Sequence, residues 1–173
     1  MSLAIDTDGL TCQSRDQRIW NGARSTKGVK GKGVSRAESR SASLDDFLSL
    51  AAGRYYFEAT QTDANGIVRI GWSVPMGQLD LGTDNQGFGF GGTGKKSFAK
   101  QFDDYGETFG VNDAVGSLLD LDQMKIRFFK NGSLVSEVTP STAERLISQA
   151  RIWVTHSIFH VHCKKVHSSH TSA

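Results

Sequence analysis

A glycine-rich segment, residues 82–100, contains six glycines and three lysines and is the first place where the residue types suggest chemistry. Residues 89–95 have the glycine spacing of a phosphate-binding loop, in which backbone amides surround a phosphate before a lysine and a hydroxyl residue. Lys96 stands where the magnesium-binding hydroxyl is required, and Ser97 comes one residue late. Residues 87–92 also fit a dinucleotide-binding pattern, but they lack a surrounding βαβ unit. We therefore expect a glycine-rich strand and bend that other chain segments approach closely, and no nucleotide site.

Basic residues form a second group of candidates. Four lie in turn-rich sequence and three lie in the glycine-rich segment: Arg24, Lys27, Lys30 and Lys32, then Lys95, Lys96 and Lys100. If the two sets meet at one rim of the fold, they form a positive patch that suits an acidic protein surface or RNA phosphates. We predict a protein partner first and RNA backbone contact second, with a merely solvated face as the alternative. Aromatic residues that could stack on bases are sparse, namely Phe98, Phe102 and Tyr105.

Catalytic and metal-binding residues are not assigned. Residues 3–134 contain no histidine, so a serine or cysteine nucleophile has no base beside it, and Cys12 is expected to be a small strand residue. All five histidines lie in the last 18 residues. His160, His162 and Cys163 are of metal-ligating type, but they lack the spacing of a zinc site, and a polar tail is the simpler interpretation.

Composition favours one β-rich domain. The 173 residues include 19 glycines and two prolines, which is typical of many turns. The net charge of +2 is too small to predict a nucleic-acid partner without local clustering. No secretory signal or membrane-spanning run is visible, and the two cysteines lie at opposite ends of the chain. We expect an intracellular protein, in the nucleus, the cytoplasm or both, with no membrane partner and no small-molecule substrate.

Strand signals fill residues 54–138. Residues 55–60 alternate so that Tyr55, Phe57 and Ala59 share a buried face. A turn at 63–66 predicts a hairpin to residues 67–72, whose Val68, Ile70 and Trp72 point inward and whose Arg69 points outward. A second hairpin joins residues 117–121 to 125–129, and a further turn follows at Asn131-Gly132. Short strands at this spacing predict an antiparallel β-sandwich.

Several motifs make the chain resemble a known family. They are Asp8-Gly9-Leu10-Thr11-Cys12-Gln13-Ser14-Arg15, Arg24-Ser25-Thr26-Lys27-Gly28, Gly53-Arg54-Tyr55-Tyr56-Phe57-Glu58, Val68-Arg69-Ile70-Gly71-Trp72-Ser73, the segment from Leu81-Gly82-Thr83-Asp84 to Lys95-Lys96-Ser97, Lys100-Gln101-Phe102-Asp103-Asp104-Tyr105-Gly106-Glu107, and Lys130-Asn131-Gly132. These segments are similar to SPRY domains, above all to the SPRY insert of one branch of the DEAD-box RNA helicases. A SPRY module from a different RNA-associated or chromatin protein is a further alternative, against which the long 82–97 motif argues.

The resemblance implies an all-β fold, a two-sheet antiparallel sandwich of the SPRY, concanavalin-like jelly-roll type, whose rim loops bind a partner. It also implies that ATP and magnesium are handled by helicase lobes outside this chain, since the chain has no DEAD box and no complete phosphate-binding loop. We predict a non-catalytic module that recruits a protein. The alternative is a fragment of an active ATP-dependent RNA helicase whose SPRY rim touches RNA phosphates.

Domain boundaries follow from the same motifs. Residues 3–138 form the predicted SPRY domain, interrupted by an atypical insert at about 34–53 that we expect to be a surface excursion. Because Val34-Ser35 can be encoded by a 5′ splice signal, we interpret the insert as translated intron and the chain after Leu134 as similar read-through. The closing strands of the family are not recognisable there. Residues 139–173 are expected to form one helix that begins near Ser141, followed by disordered chain.

Overall fold

The computed structural model describes residues 3–7, 11–16, 20–24, 54–64, 66–74, 76–123, 125–138, 151–155 and 159–166. Within these ranges the regular elements are strands. They are β1 (Leu3–Ile5), β2 (Thr11–Ser14), β3 (Gly22–Arg24), β4 (Arg54–Gln61), β5 (Arg69–Ser73), β6 (Gly87–Gly91), β7 (Lys95–Phe98), β8 (Gln101–Asp104), β9 (Ala114–Asp120), β10 (Lys125–Lys130), β11 (Ser133–Val138), β12 (Arg151–Thr155) and β13 (Phe159–Val166). No helix within the described ranges is long and apolar enough to cross a membrane.

The strands form two antiparallel sheets. The seven-stranded sheet has the order β1-β2-β13-β4-β9-β10-β11, and the six-stranded sheet has the order β3-β12-β5-β6-β7-β8. Side chains alternate along a strand, so strands inside the sheets present one face to the opposite sheet. The predicted all-β, two-sheet antiparallel sandwich is therefore confirmed.

Aromatic side chains fill the space between the sheets. Phe57 of β4, Phe90 of β6 and Phe128 of β10 are completely or almost completely buried. Full burial of such a side chain contributes roughly 1.5–3 kcal/mol. The sheets are also joined by a buried hydrogen bond, in which Trp72 Nε1 of β5 donates to Ser117 Oγ of β9 at 2.8 Å. The core thus fixes the two sheets face to face.

The predicted hairpin between residues 55–60 and 67–72 is wrong, although both strands exist. β4 pairs with β13 and β9 in one sheet, whereas β5 pairs with β12 and β6 in the other. The chain therefore passes from one sheet to the other between β4 and β5. The crossing lets the apolar faces of both strands meet in the core, where the rings of Phe57 and Trp72 pack edge to face at 5.2 Å. A hairpin would have placed both faces on the same side of one sheet.

The predicted pairing of the later strands is confirmed. β9 and β10 form an antiparallel hairpin, and β10 continues into β11 through the turn at Asn131 and Gly132. Both turn residues have positive φ, 50° and 82°, as a tight hairpin turn requires. Asn131 also accepts from the Ala114 amide through Oδ1 at 2.9 Å, which anchors the turn to the start of β9.

The tail differs from the expectation of one helix followed by disordered chain. The region where the helix was predicted, 141–150, lies outside the described residues, and beyond it β12 and β13 occupy interior positions of the two sheets. β12 bridges β3 and β5, and β13 bridges β2 and β4. Their sequences show the reason, since Phe159, Val161 and Cys163 alternate with polar residues at the two-residue period of a strand. The described strands thus occupy the closing positions that we expected to be missing. The insert at 34–53 lies outside the described residues.

Candidate binding surface

The predicted lysines of the glycine-rich segment lie on the hairpin of β7 and β8, at one edge of the six-stranded sheet. Its two-residue turn consists of Ala99 and Lys100, whose φ angles are 50° and 66°. Both turn amides donate outside the hairpin, Ala99 N to Asp84 O and Lys100 N to Gly82 O, each at 2.8 Å. Residues with a Cβ rarely adopt positive φ, so these bonds help to hold the turn in place. The hairpin therefore presents Lys100 from a fixed backbone.

Two of the lysines are matched by aspartates of β8. Lys95 Nζ lies 2.7 Å from Asp104 Oδ1, and Lys96 Nζ lies 4.0 Å from Asp103 Oδ2. The hydrogen bond from Lys95 lowers the pKa of Asp104, so this carboxylate stays charged at neutral pH. The hairpin is therefore a mixed-charge surface with a positive surplus of one, rather than a purely basic patch.

The other predicted basic group is only partly described. Arg24 lies at the end of β3, at the opposite edge of the same sheet from β8. Lys27, Lys30 and Lys32 lie outside the described residues. Convergence of the two groups on one rim stays a prediction.

The phosphate-loop-like sequence forms a hairpin of β6 and β7 and not a loop that leads into a helix. Phe88 and Phe90 are buried and lie opposite Trp72 and Ile70 of β5 in the register. The intervening glycines lie on the outer face, defined here as the face that points away from the seven-stranded sheet. A Cβ on Gly87 would lie 2.9 Å from Leu81 Cδ1, and one on Gly82 would lie 2.3 Å from Ser97 Cβ. As expected from the sequence, these glycines permit close packing.

The Arg69 side chain also lies on the outer face of the six-stranded sheet, in space that a glycine leaves open. Its side chain extends from β5 across β6, where a Cβ on Gly89 would lie 2.8 Å from Arg69 Cδ. Nη1 donates to the Leu81 carbonyl at 2.8 Å. The guanidinium carbon lies 4.9 Å from the ring centre of Trp20 and 4.8 Å from that of Phe102. A strand glycine thus allows an arginine to lie flat on the sheet and to reach two aromatic rings.

Trp20 and Arg69 were not predicted as site residues. The outward position of Arg69 was predicted correctly, but the sequence gives no sign that its side chain crosses two strands to Phe102. The available signal for Trp20 was an aromatic residue in turn-rich, polar sequence. Burial lowers the pKa of Arg69, and Asp80 offsets part of this effect.

The three aromatic residues proposed for base stacking occupy different environments. Phe98 stacks on Phe88 with ring centres 4.2 Å apart, and Tyr105 packs edge to face against Phe90. Phe102 is 41% exposed. On the inner side of the hairpin, Phe88, Lys96, Phe98, Gln101 and Asp103 line a small pocket of about 110 Å³. Stacking to an external ligand is thus most accessible at Phe102.

Cys12 and two of the histidines lie in strands of the seven-stranded sheet. Cys12 lies buried in β2, and burial raises the pKa of its thiol to about 11, so it stays protonated at neutral pH. His160 and His162 lie in β13 opposite Thr60 and Glu58 of β4. Within the described ranges, no group of three potential ligands is arranged to hold a metal ion.

Comparison with known proteins supports the fold described above. The SPRY domain family matches residues 54–147. This match spans more than half of the chain, and the chain belongs to the SPRY domain family. The crystal structure of a human SPRY domain superimposes with a TM-score of 0.68 at 15% identity, over 94% of this chain and 95% of that one. At this identity, the structural match supports the fold alone.

Within the family, the chain is similar to a particular group of proteins. It is 50% identical over 131 residues to the ATP-dependent RNA helicase Ddx1 of Drosophila melanogaster and 46% identical to DDX1 of Xenopus laevis. The match covers 76% of this chain but 15% of either helicase. It is 35% identical over 117 residues to the human heterogeneous nuclear ribonucleoprotein U-like protein 2, covering 66% of this chain and 14% of that protein. The predicted relation to the SPRY region of a DEAD-box helicase is confirmed.

Proposed function

We propose that the chain is a non-catalytic SPRY module that recruits a protein partner with an acidic surface. The observation that carries this proposal is the β7–β8 hairpin, whose turn amides are bound to the 82–84 segment and whose Lys100, Asp103 and Asp104 are exposed. A sandwich rim of this kind holds binding residues in place while their side chains stay accessible. Lys95, Lys96 and Lys100 supply the positive charge, and Lys27, Lys30 and Lys32 are proposed to extend it, whereas Arg24 lies at the opposite edge of the sheet.

A protein partner fits this surface better than an RNA backbone. A nucleic acid presents a regular row of phosphates and binds a continuous basic track. On this hairpin, Asp103 and Asp104 lie beside the lysines and would repel such a row. A protein surface can place an acidic residue near Lys100 and a neutral or basic one near the aspartates. RNA phosphate contact is the second candidate, supported by the similarity to RNA helicases.

The similarity also supports a role within a larger protein. We propose that the module belongs to a helicase of the DEAD-box type, in which ATP and magnesium are bound by lobes outside this chain. We assign no cofactor to the residues described above. In such an arrangement the module would bring a partner to the helicase and take no part in the reaction.

Charge reversal at Lys100 tests the proposal. Full-length chain would be used to capture proteins from a cell extract, and each identified protein would then be purified and its association measured. Lys100→Glu should slow association and weaken binding about tenfold, because opposing charges accelerate encounter and are screened by salt. Lys100 is the suitable position, since reversal of Lys95 would place two carboxylates at contact distance.

Arg15→Glu is the matched control. Arg15 is exposed next to β2, in the other sheet, and undergoes the same change in charge. Its binding should equal that of the unmodified chain. If neither Lys100→Glu nor added salt changes the association rate or the affinity of the partner, the hairpin is only a solvated face. Binding of oligouridine with no protein partner would favour RNA contact instead.

A further inference from the structure

An arginine with exposed aromatic neighbours lies on the outer face of the six-stranded sheet. Trp20 and Phe102 are 43% and 41% exposed, and each contacts the Arg69 guanidinium through its ring. Tryptophan and arginine are among the residues that most often dominate binding energy at protein interfaces. We call Trp20, Arg69 and Phe102 the aromatic–arginine clamp.

Within the part of the chain that the structure describes, the Arg69 guanidinium retains N–H groups that donate to no acceptor. Of its five N–H groups, one donates to the Leu81 carbonyl. Within the described part of the chain, Arg69 forms no ion pair; Asp80 acts on it electrostatically without contact. The cation is thus positioned by a hydrogen bond and two rings and is not neutralised by a carboxylate.

Its position is fixed before any partner arrives. Gly89 leaves the space in which the Arg69 side chain lies against β6, and the Leu81 carbonyl fixes one end of the guanidinium. Binding therefore orders few additional side-chain torsions, and preorganisation of this kind strengthens association. An oxyanion is the complementary ligand, because a planar guanidinium can donate two parallel hydrogen bonds to a carboxylate.

We propose that the aromatic–arginine clamp binds the side-chain carboxylate of an Asp or Glu in an extended peptide of the protein partner, whose neighbouring apolar residues contact Trp20 and Phe102. The inference rests on the proposed protein-recruiting function and names the specific contact. The clamp adjoins the β7–β8 hairpin, since Phe102 lies two residues after Lys100.

An isolated carboxylate fits better than a nucleic acid. One face of each ring already contacts Arg69, which leaves a base less ring surface on which to stack. Asp80 acts on the guanidinium, and the backbone next to Phe102 carries Asp103 and Asp104. These carboxylates oppose a chain of phosphates more than they oppose a single acidic side chain.

Peptide selection on the full-length chain tests the clamp. A displayed library of short random peptides would be enriched on the unmodified protein, and the enriched peptides would be synthesised. We expect them to share one Asp or Glu next to an apolar residue. Arg69→Lys should weaken their binding about tenfold, because lysine keeps the charge but loses the planar pair of donors. Phe102→Ala should weaken it similarly, and Arg15→Lys should leave it unchanged.

A double-mutant cycle separates direct contact from a general structural effect. Replacement of the peptide carboxylate by its amide should weaken binding about tenfold to the unmodified chain and much less to Arg69→Lys, if the two groups touch. Titration should also shift the NMR signal of the Trp20 indole N–H. Thermal unfolding of each variant reports whether the fold persists.

Three results would overturn the clamp: no enriched peptide, enriched peptides without a carboxylate, or equal affinity for the unmodified and Arg69→Lys chains. If binding then still weakens in Lys100→Glu, the recruiting function stands and only the clamp fails. Displacement of the peptides by oligouridine at similar concentration would also overturn it, in favour of RNA.

Discussion

Ser117 accepts a hydrogen bond that joins the two sheets. Its hydroxyl lies in the middle of the sandwich, is fully buried, and accepts from the Trp72 indole 2.8 Å away. The two residues belong to different sheets, so this bond contributes to their alignment. A buried indole N–H without an acceptor loses its hydration and gains nothing in return.

Removal of this acceptor should destabilise the protein measurably. We expect Ser117→Ala to lower the free energy of unfolding by about 1–3 kcal/mol, which is the usual cost of a buried unsatisfied donor. Urea unfolding monitored by tryptophan fluorescence would measure it. Ser133→Ala removes the same hydroxyl from an exposed position at the start of β11 and should change stability by less than about 0.5 kcal/mol. Equal effects at both positions would show that the hydrogen bond contributes little.

At the level of elements, two adjacent strands depend on glycine for their contact. Gly71 of β5 lies opposite Gly89 of β6 in the register. A Cβ at position 71 would lie 1.9 Å from the Phe88 carbonyl oxygen, which belongs to the backbone of the neighbouring strand. Such an overlap cannot be relieved by rotation of a side chain, so the strands themselves would have to separate.

Gly71→Ala should therefore disrupt the six-stranded sheet. We expect a loss of about 3 kcal/mol or more in the free energy of unfolding, at the upper end of overpacking costs, because rigid backbone must move. Gly110→Ala is the matched control, since a Cβ there meets no atom within 4 Å. Chemical denaturation of both variants measures the difference. A Gly71→Ala chain as stable as Gly110→Ala would mean that the strand contact is looser than described.

At the level of the whole molecule, the last two strands complete both sheets. β13 lies between β2 and β4, and β12 lies between β3 and β5. Without them, β1 and β2 would separate from the rest of their sheet, and β3 would separate from the other sheet. Backbone groups along β4 and β5 would lose their partners, which is costly wherever water cannot replace them.

Truncation after residue 150 should consequently abolish cooperative folding. We expect the shortened chain to lose the sigmoidal unfolding transition and to be digested rapidly by protease, whereas truncation after residue 166 should preserve both properties. Circular dichroism during thermal unfolding and limited proteolysis would compare the two chains. Cooperative unfolding of the shorter chain would show that the remaining strands form a sufficient core.

Much of the local structure could be predicted from the sequence. The alternation of Phe57 and Ala59 identified β4, and that of Val68, Ile70 and Trp72 identified β5. Asn131-Gly132 identified a hairpin turn, because these residues tolerate positive φ. These features depend on neighbouring residues alone, and so does the long glycine-rich motif that indicated the SPRY family.

The sheet to which each strand belongs required the tertiary structure. The turn residues at 63–66 were compatible with a hairpin, yet β4 and β5 lie in different sheets because their apolar faces cover each other across the core. The tail was predicted to be a helix followed by disordered chain, although residues 159–163 alternate with the two-residue period of a strand. The strand that pairs with this segment is about 100 residues earlier in the chain, so the pairing could not be recognised from neighbouring residues.

The features of the candidate site also fall into two groups, those that the sequence determined and those that required the tertiary structure. The sequence by itself determined that the chain carries a SPRY sandwich, that the glycines serve close packing, and that Lys95, Lys96 and Lys100 lie near one another. Only the tertiary structure showed the aspartates opposite Lys95 and Lys96, and the meeting of Arg69 with Trp20 and Phe102. Strand and turn formation follows from local backbone preferences. Contacts between residues of different strands depend instead on which distant strands pair and on where a glycine, which lacks a side chain, leaves room.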